Sequence, residues 1–365
     1  MNAPCPPRHP ARRYRYRIPT GHWLLSAEGR GGAFSLLIPR RALAINLILL
    51  LLVLAAATAG LALGDVQLSP LAVWQALWGE GSALQQLVVR ELRLQRVLAG
   101  IATGGAFALS GCLMQTLARN RLATPGIIGI DNAATAFAVA SVVGTGISLA
   151  PSAMALVGAA TATALAFGLA GDSGTRGYRF IIAGVGIGAI AGAITQFMLS
   201  QVAIDDANAA FPWTVGSLNA RNPSATALLG IGLALGLILA LRLARALQLV
   251  QVSDAISIGL GIQLKRVRHQ ALALSVLLTG LAVAVAGPVG LVALLGPEIA
   301  RTLCRHRGVP LLAATLCGAL IMLLADLAGR LLLAPLEIPV GIVTALIGSP
   351  WLLWMLLNPS FRSQP

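Results

Sequence analysis

The chain has 365 residues, 57% of them hydrophobic and 10% charged, with a formal net charge of +14. An ordinary soluble domain carries roughly 25% charged residues, so this composition and a mean hydropathy of +0.83 exclude a water-soluble core and call for lipid. The distribution of charge excludes a nucleic-acid surface: one lysine and 25 arginines sit in an N-terminal tail and in short gaps between apolar runs, the pattern of topogenic charge near anionic headgroups.

Residues 1–41 hold eight arginines among many prolines and glycines, with no apolar period, which predicts a disordered, basic cytoplasmic tail. A cleaved secretory signal is the rival reading, since basic residues precede the Leu43 to Leu54 run and Ala57-Thr58-Ala59 resembles a cleavage site. The apolar run continues to Leu63 and further runs follow, which favours an uncleaved first span. Hydrocarbon about 30 Å thick needs about 20 helical residues. Ten transmembrane helices are accordingly predicted near 43–63, 97–118, 127–149, 151–170, 179–200, 225–246, 269–287, 289–304, 310–333 and 340–357. The expected organisation is an all-α membrane protein: the tail, a ten-span domain over 42–358, and a short cytoplasmic tail over 359–365. With the N-terminus inside, 21 of the 26 basic residues face the cytoplasm, and only Arg90, Arg93, Arg96, Arg221 and Arg330 lie outside. That asymmetry puts both termini in the cytoplasm.

Glycines recur at four-residue spacing at Gly100 and Gly104, at Gly184, Gly188 and Gly192, and at Gly232 and Gly236, a pattern that lets helix backbones approach closely in lipid. The outer gap 201–224 contains Phe211-Pro212-Trp213 and predicts a short interfacial helix with Trp213 at headgroup depth. The inner gap 251–268 has another pattern. Ser253-Asp254 can begin a short helix, Gly259 and Gly261 can break it, and Ile258, Leu260 and Ile262 are apolar in a segment that does not span. A partner protein would bury them, and a lipid-surface linker is the alternative.

Chemistry-bearing residues are sparse. His9, His22, His269 and His306 lie in tails or at span ends, and Cys5, Cys112, Cys304 and Cys317 form no CxxC, so no metal or catalytic constellation is predicted. The sole lysine, Lys265, follows Gln263-Leu264 rather than a glycine, which excludes a P-loop. Asp326 and Arg330, four apart, suit either a self-neutralised pair or a functional role for the arginine, and Glu298 suits a structural pair with Arg301. Arg90, Arg93 and Arg96 repeat every three residues on the outer side, a stripe that suggests an acidic partner or anionic solute.

Two ordered blocks carry a family resemblance. The first is Arg93-Leu-Gln-Arg96-Val-Leu-Ala-Gly100, then Ala108-Leu-Ser-Gly111-Cys-Leu-Met-Gln115 and Ala123-Thr-Pro-Gly126-Ile-Ile-Gly129. The second runs through Gly280 to Gly290, Pro297-Glu-Ile-Ala-Arg301, Ala325-Asp326, and Glu337-Ile-Pro339-Val-Gly341-Ile-Val-Thr344-Ala-Leu-Ile-Gly348-Ser-Pro350. Over about residues 43–357 the chain resembles the permeases of iron-siderophore, haem and cobalamin uptake ABC transporters, the FecCD family. The resemblance implies a type II importer permease bundle that is no enzyme and holds no cofactor, ATP being used by partner subunits. It implies a second permease copy, identical or homologous, a cytoplasmic ATPase pair and a periplasmic binding protein, in the bacterial inner membrane. It assigns Arg93, Arg96 and Arg330 to docking of the binding protein, and the 251–268 segment with Asp254, Ile258, Gly259, Leu260, Gly261 and Ile262 to ATPase coupling. Gly177 and Tyr178 match the region of the cytoplasmic gate. Gln95, Glu298 and Asp131-Asn132 depart from the family's usual proline, histidine and small polar residues. A ferric siderophore is the expected cargo, with haem or cobalamin as alternatives, and an ion-coupled secondary transporter as the rival from another class.

Overall fold

The computed structural model describes residues 22–29, 32–64, 66–144, 150–170, 178–219, 221–305 and 308–357. They divide into two compact units, 1–44 and 45–365. In the first, β1 (His22–Gly29) and β2 (Gly32–Pro39) pair antiparallel, from His22 opposite Pro39 to Gly29 opposite Gly32. This two-stranded hairpin lies within the 1–41 segment expected as a basic tail, beside an otherwise all-helical chain. The arginines and prolines around it mask two short runs, Trp23-Leu24-Leu25 and Leu36-Leu37-Ile38, rich in residues that suit strands.

The rest is helical. The first span is α1 (Arg40–Ala62). Then come α2 (Pro70–Trp78), capped by Ser69 and Gly79, and α3 (Ala83–Gln86), opened by a reciprocal Ser82/Gln85 cap. A π-helical stretch, Leu87–Arg93, joins α3 to α4 (Leu94–Ala118), so helix runs unbroken over Ala83–Ala118 and starts well before the expected residue 97. A 3-10 turn, Pro125–Ile128, leads into α5 (Ile130–Val142), followed by α6 (Pro151–Ala170), α7 (Tyr178–Gln201) and α8 (Ile204–Val215). Next are α9 (Pro223–Val252), α10 (Asp254–Gly259), α11 (Leu264–Ala286), α12 (Gly290–Cys304), α13 (Leu311–Leu331) and α14 (Val340–Leu357).

Each of the ten predicted spans overlaps a helix, with residues 145–149 of the third outside the described residues, and among the described residues seven helices are long and apolar enough to cross a membrane by themselves. Among the others, α5 has 13 residues and α12 has 15, about 20 Å of rise each. Their starts meet in the interior: a Cβ on Gly290 would lie 3.6 Å from the Asp131 carboxylate, and the Asn132 amide donates to the Gly188 carbonyl of α7 at 3.0 Å.

The axis of the bundle is α4, which packs on α9, α11, α12 and α13 and is the most buried of the long helices, while α7 and α9 are the least. Contact at the axis is backbone against backbone. A Cβ on Gly104 would strike the Gly318 carbonyl, and one on Gly111 the Ala293 carbonyl. Ser275 and Thr279 of α11 bond to Ser110 of α4 at 2.9 and 3.0 Å, satisfying hydroxyls that lipid would leave bare.

Candidate functional site

At the end of the bundle expected to face outward, arginines from two regions meet the C-terminus of α1. A helix leaves its last carbonyls without intrahelical donors, and no water reaches them inside a membrane. Arg93 supplies the donors: Nη1 to the carbonyls of Leu61 and Ala62 at 2.8 and 3.1 Å, and Nη2 to that of Val66 at 2.7 Å. Arg330 Nη2 adds a bond to the Gly60 carbonyl at 3.1 Å. Two cations thus cap a helix end that carries partial negative charge.

Arg96 is held by carboxylates. Its Nε donates to both Asp326 oxygens at 2.9 and 3.1 Å, and its Nη1 to both Glu337 oxygens at 3.1 and 2.9 Å. Asp326 also lies 3.3 Å from Arg330 Nε, the four-residue pair that the sequence predicts. The three expected docking arginines are therefore brought together, but each is engaged inside the chain, and Arg93 is only 8% exposed. The stripe is not one face either. The π-helical turn at Leu87–Arg93 has a longer repeat than an α-helix, so Arg90 stays exposed while Arg93 turns inward.

At the opposite end, expected to face inward, α4 stops at Arg119, which has a left-handed φ of 49° and bonds through Nε to the Val250 carbonyl at 2.8 Å. Its Nη2 reaches Asp254 Oδ1 at 2.5 Å, while Arg268 Nη2 of α11 holds Asp254 Oδ2 at 2.6 Å. Asp254 opens α10, where a carboxylate also favours the helix N-terminus. So α10 is strapped by one side chain to both α4 and α11. Its apolar residues face out, with Ile258 and Leu260 each 63% exposed, while Ile262 packs back onto the core. Gly261 has a φ of +79°, the left-handed conformation that lets the chain turn back into α11, and Gly259 faces open space.

A second inner cluster centres on Glu298, 2% exposed, which accepts from Arg121 at 3.3 Å and Arg301 at 3.1 Å. Arg301 also donates to Gln115 Oε1 at 2.6 Å. Arg119 and Arg121 serve the sequence reading only as topology markers. Their pairing with Asp254 and Glu298 spans more than a hundred residues and leaves no local signal. Tyr178 begins α7, and Gly177 lies outside the described residues. The short helix expected in the 201–224 gap is α8, and its Trp213 is 9% exposed, with the Arg221 guanidinium 4.2 Å from its ring centre. Among the described residues no group of three or more His, Cys, Asp or Glu is placed to hold a metal ion.

A lipid-embedded bundle with an internally paired outer layer and a strapped, apolar-faced segment at the other end defines a permease-type subunit. Residues 48–358 match the FecCD transport family, and the chain belongs to it. The family comprises permeases of iron-siderophore and haem ABC importers and lacks an ATPase domain of its own, so such a subunit works with ATPase and binding-protein partners. The achromobactin transport permease of Dickeya dadantii is 36% identical over 85% of this chain and 90% of its own length. The ferric enterobactin permease of Escherichia coli is 34% identical over 88% and 98%, and the hemin permease of Yersinia pestis 35% identical over 88% and 96%. A solved metal-chelate-type ABC transporter in an inward-facing conformation superposes with a TM-score of 0.74 at 26% identity, covering 87% of this chain and 99% of that one.

Proposed function

We propose that the chain is one half of the permease of a bacterial importer for ferric siderophores, seated in the inner membrane with both termini in the cytoplasm. The observation that carries the cargo is the set of relatives at 34–36% identity named for achromobactin, ferric enterobactin and iron dicitrate. The hemin permease at 35% identity makes haem the second reading. The 21-to-5 division of basic residues supports the orientation. A second permease, identical or homologous, would cover part of the exposed apolar faces of α7 and α14, with the path between the two halves.

The ATPase pair would seat α10 in a groove and bury Ile258 and Leu260; ATP is used there, and this chain holds no cofactor. When the ATPases close, displacement of α10 passes through Asp254 to Arg119 and Arg268, hence to α4 and α11 together. Because α4 is packed backbone to backbone, it moves as a body with α12 and α13, and the path opens to one side at a time. The binding protein would dock over Arg93, Arg96 and Arg330, its acids competing with Asp326 and Glu337. Gly177 and Tyr178 would lie at the cytoplasmic gate.

The test is uptake of a radioactive ferric siderophore into proteoliposomes holding the permease, its ATPases and its binding protein. ATP-dependent accumulation is expected. Uptake by the permease alone under a proton or sodium gradient would replace this reading with a secondary transporter.

A further inference from the structure

Arg221, unlike the exposed Arg90, is a largely buried arginine of this end that the paired network does not absorb. It sits in the turn between α8 and α9 with its guanidinium on the Trp213 ring, Nε bonded to the Ser217 carbonyl at 2.8 Å and Nη2 to the Pro212 carbonyl at 3.4 Å. Among the described residues no carboxylate forms an ion pair with it: Asp326 is taken by Arg96 and Arg330, and both Glu337 oxygens by Arg96. Burial pulls its pKa down to about 10, so it stays protonated at neutral pH but carries an uncompensated desolvation cost. The next residue, Asn222, caps the 30-residue helix α9, whose N-terminal partial charge adds to the positive potential. Arg221 and Asn219 line a cavity of about 430 Å³ together with Arg93, Arg96 and Arg330 and the carboxylates of Glu91 and Glu337, so four guanidinium groups face two carboxylates there. That volume lies in the range of small-ligand pockets.

We infer that Arg221 and this outer cavity form a carboxylate-binding site. The inference rests on the importer reading and adds to it a further residue, Arg221, in a cavity that Arg93, Arg96 and Arg330 also line. The Nη1 nitrogen, which makes no hydrogen bond among the described residues, together with Nη2 offers the two-pronged edge that a carboxylate accepts. The carboxylate comes either from the arriving chelate or from an acidic side chain of the docked binding protein.

Three variants of the full transporter complex in nanodiscs test this. Arg221→Gln removes the cation. Arg221→Lys keeps the charge without the fork. Asn219→Asp leaves Arg221 and its loop bonds in place and puts a competing carboxylate into the same cavity. In one arm, citrate alone is the probe, read as a rise in Tm; in the other, cargo-free binding protein is titrated onto the complex. A solute carboxylate predicts that citrate stabilisation is lost in Arg221→Gln and Asn219→Asp and weakened in Arg221→Lys, with protein docking unchanged. A carboxylate from the binding protein predicts docking weakened roughly tenfold in the same two variants, partly restored by lysine. If neither arm moves, the site is refuted. Failure of ATPases to co-purify with the wild-type chain would instead count against the importer reading, and the citrate arm can be read on the permease alone.

Discussion

The two faces of the bundle handle charge in opposite ways. At the outer face, Arg93, Arg96 and Arg330 are consumed by helix carbonyls and by Asp326 and Glu337, so the cations that a sequence reader would expect to project are holding the chain to itself. At the inner face the charges are also paired, yet their effect is to present something: Asp254 is clasped by Arg119 and Arg268, and the clasp holds Ile258 and Leu260 out in the open. Under the proposed function, the difference separates a layer that closes the bundle from a handle for the ATPases to push. Stability should reside in the first and coupling in the second.

The comparison breaks most sharply at Asp326, which is 5% exposed and serves two arginines. Asp326→Ala leaves both cations buried with one partner fewer, and a loss of about 3–5 kcal/mol is expected, the usual cost of removing one member of a buried pair. Thermal unfolding of the detergent-solubilised protein would report it as a large drop in Tm. Next in size is Asp254→Ala, which should cut ATP-driven uptake by more than about tenfold while the Tm moves little, since Asp254 is 38% exposed at its side chain and exposed pairs contribute at most about 1 kcal/mol each. Parallel measurements of uptake and unfolding separate the two roles.

Ile258→Asp with Leu260→Asp should abolish co-purification of the ATPases with no loss of folded yield, because both side chains already face away from the bundle. The smallest effect belongs to Glu337→Gln. Glu337 is 44% exposed at its side chain, so its bond to Arg96 stabilises by less than about 1 kcal/mol, and its removal leaves Arg96 freer for an acidic partner. Binding-protein affinity should rise a few-fold, as read by titration onto nanodiscs.

Much of this was legible in the residues themselves. Apolar runs located all ten helices because lipid selects for them, and the four-residue glycine spacing foretold the close approach seen at Gly104 and at Gly184, which abuts the backbone of Ile127 and Ile128. The exposed apolar face of α10 was legible for the same reason, since Ile258 and Leu260 stand in a segment too polar to span. The fate of the outer arginines was not. It depends on a π-helical turn that no local pattern announces and on α1 ending where Arg93 and Arg330, distant in sequence, can reach its carbonyls. The stack of Arg221 on Trp213 spans only eight residues of chain, but no local pattern distinguishes a buried tryptophan from an exposed one there.

Transmission through Asp254 is the central claim, and the ratio of cargo imported to ATP hydrolysed tests it most directly. In proteoliposomes of the complete importer, Asp254→Ala should keep ATP hydrolysis near the wild-type rate while import collapses, because the ATPases still close on a handle no longer tied to α4 and α11. An unchanged ratio in that variant would contradict the account.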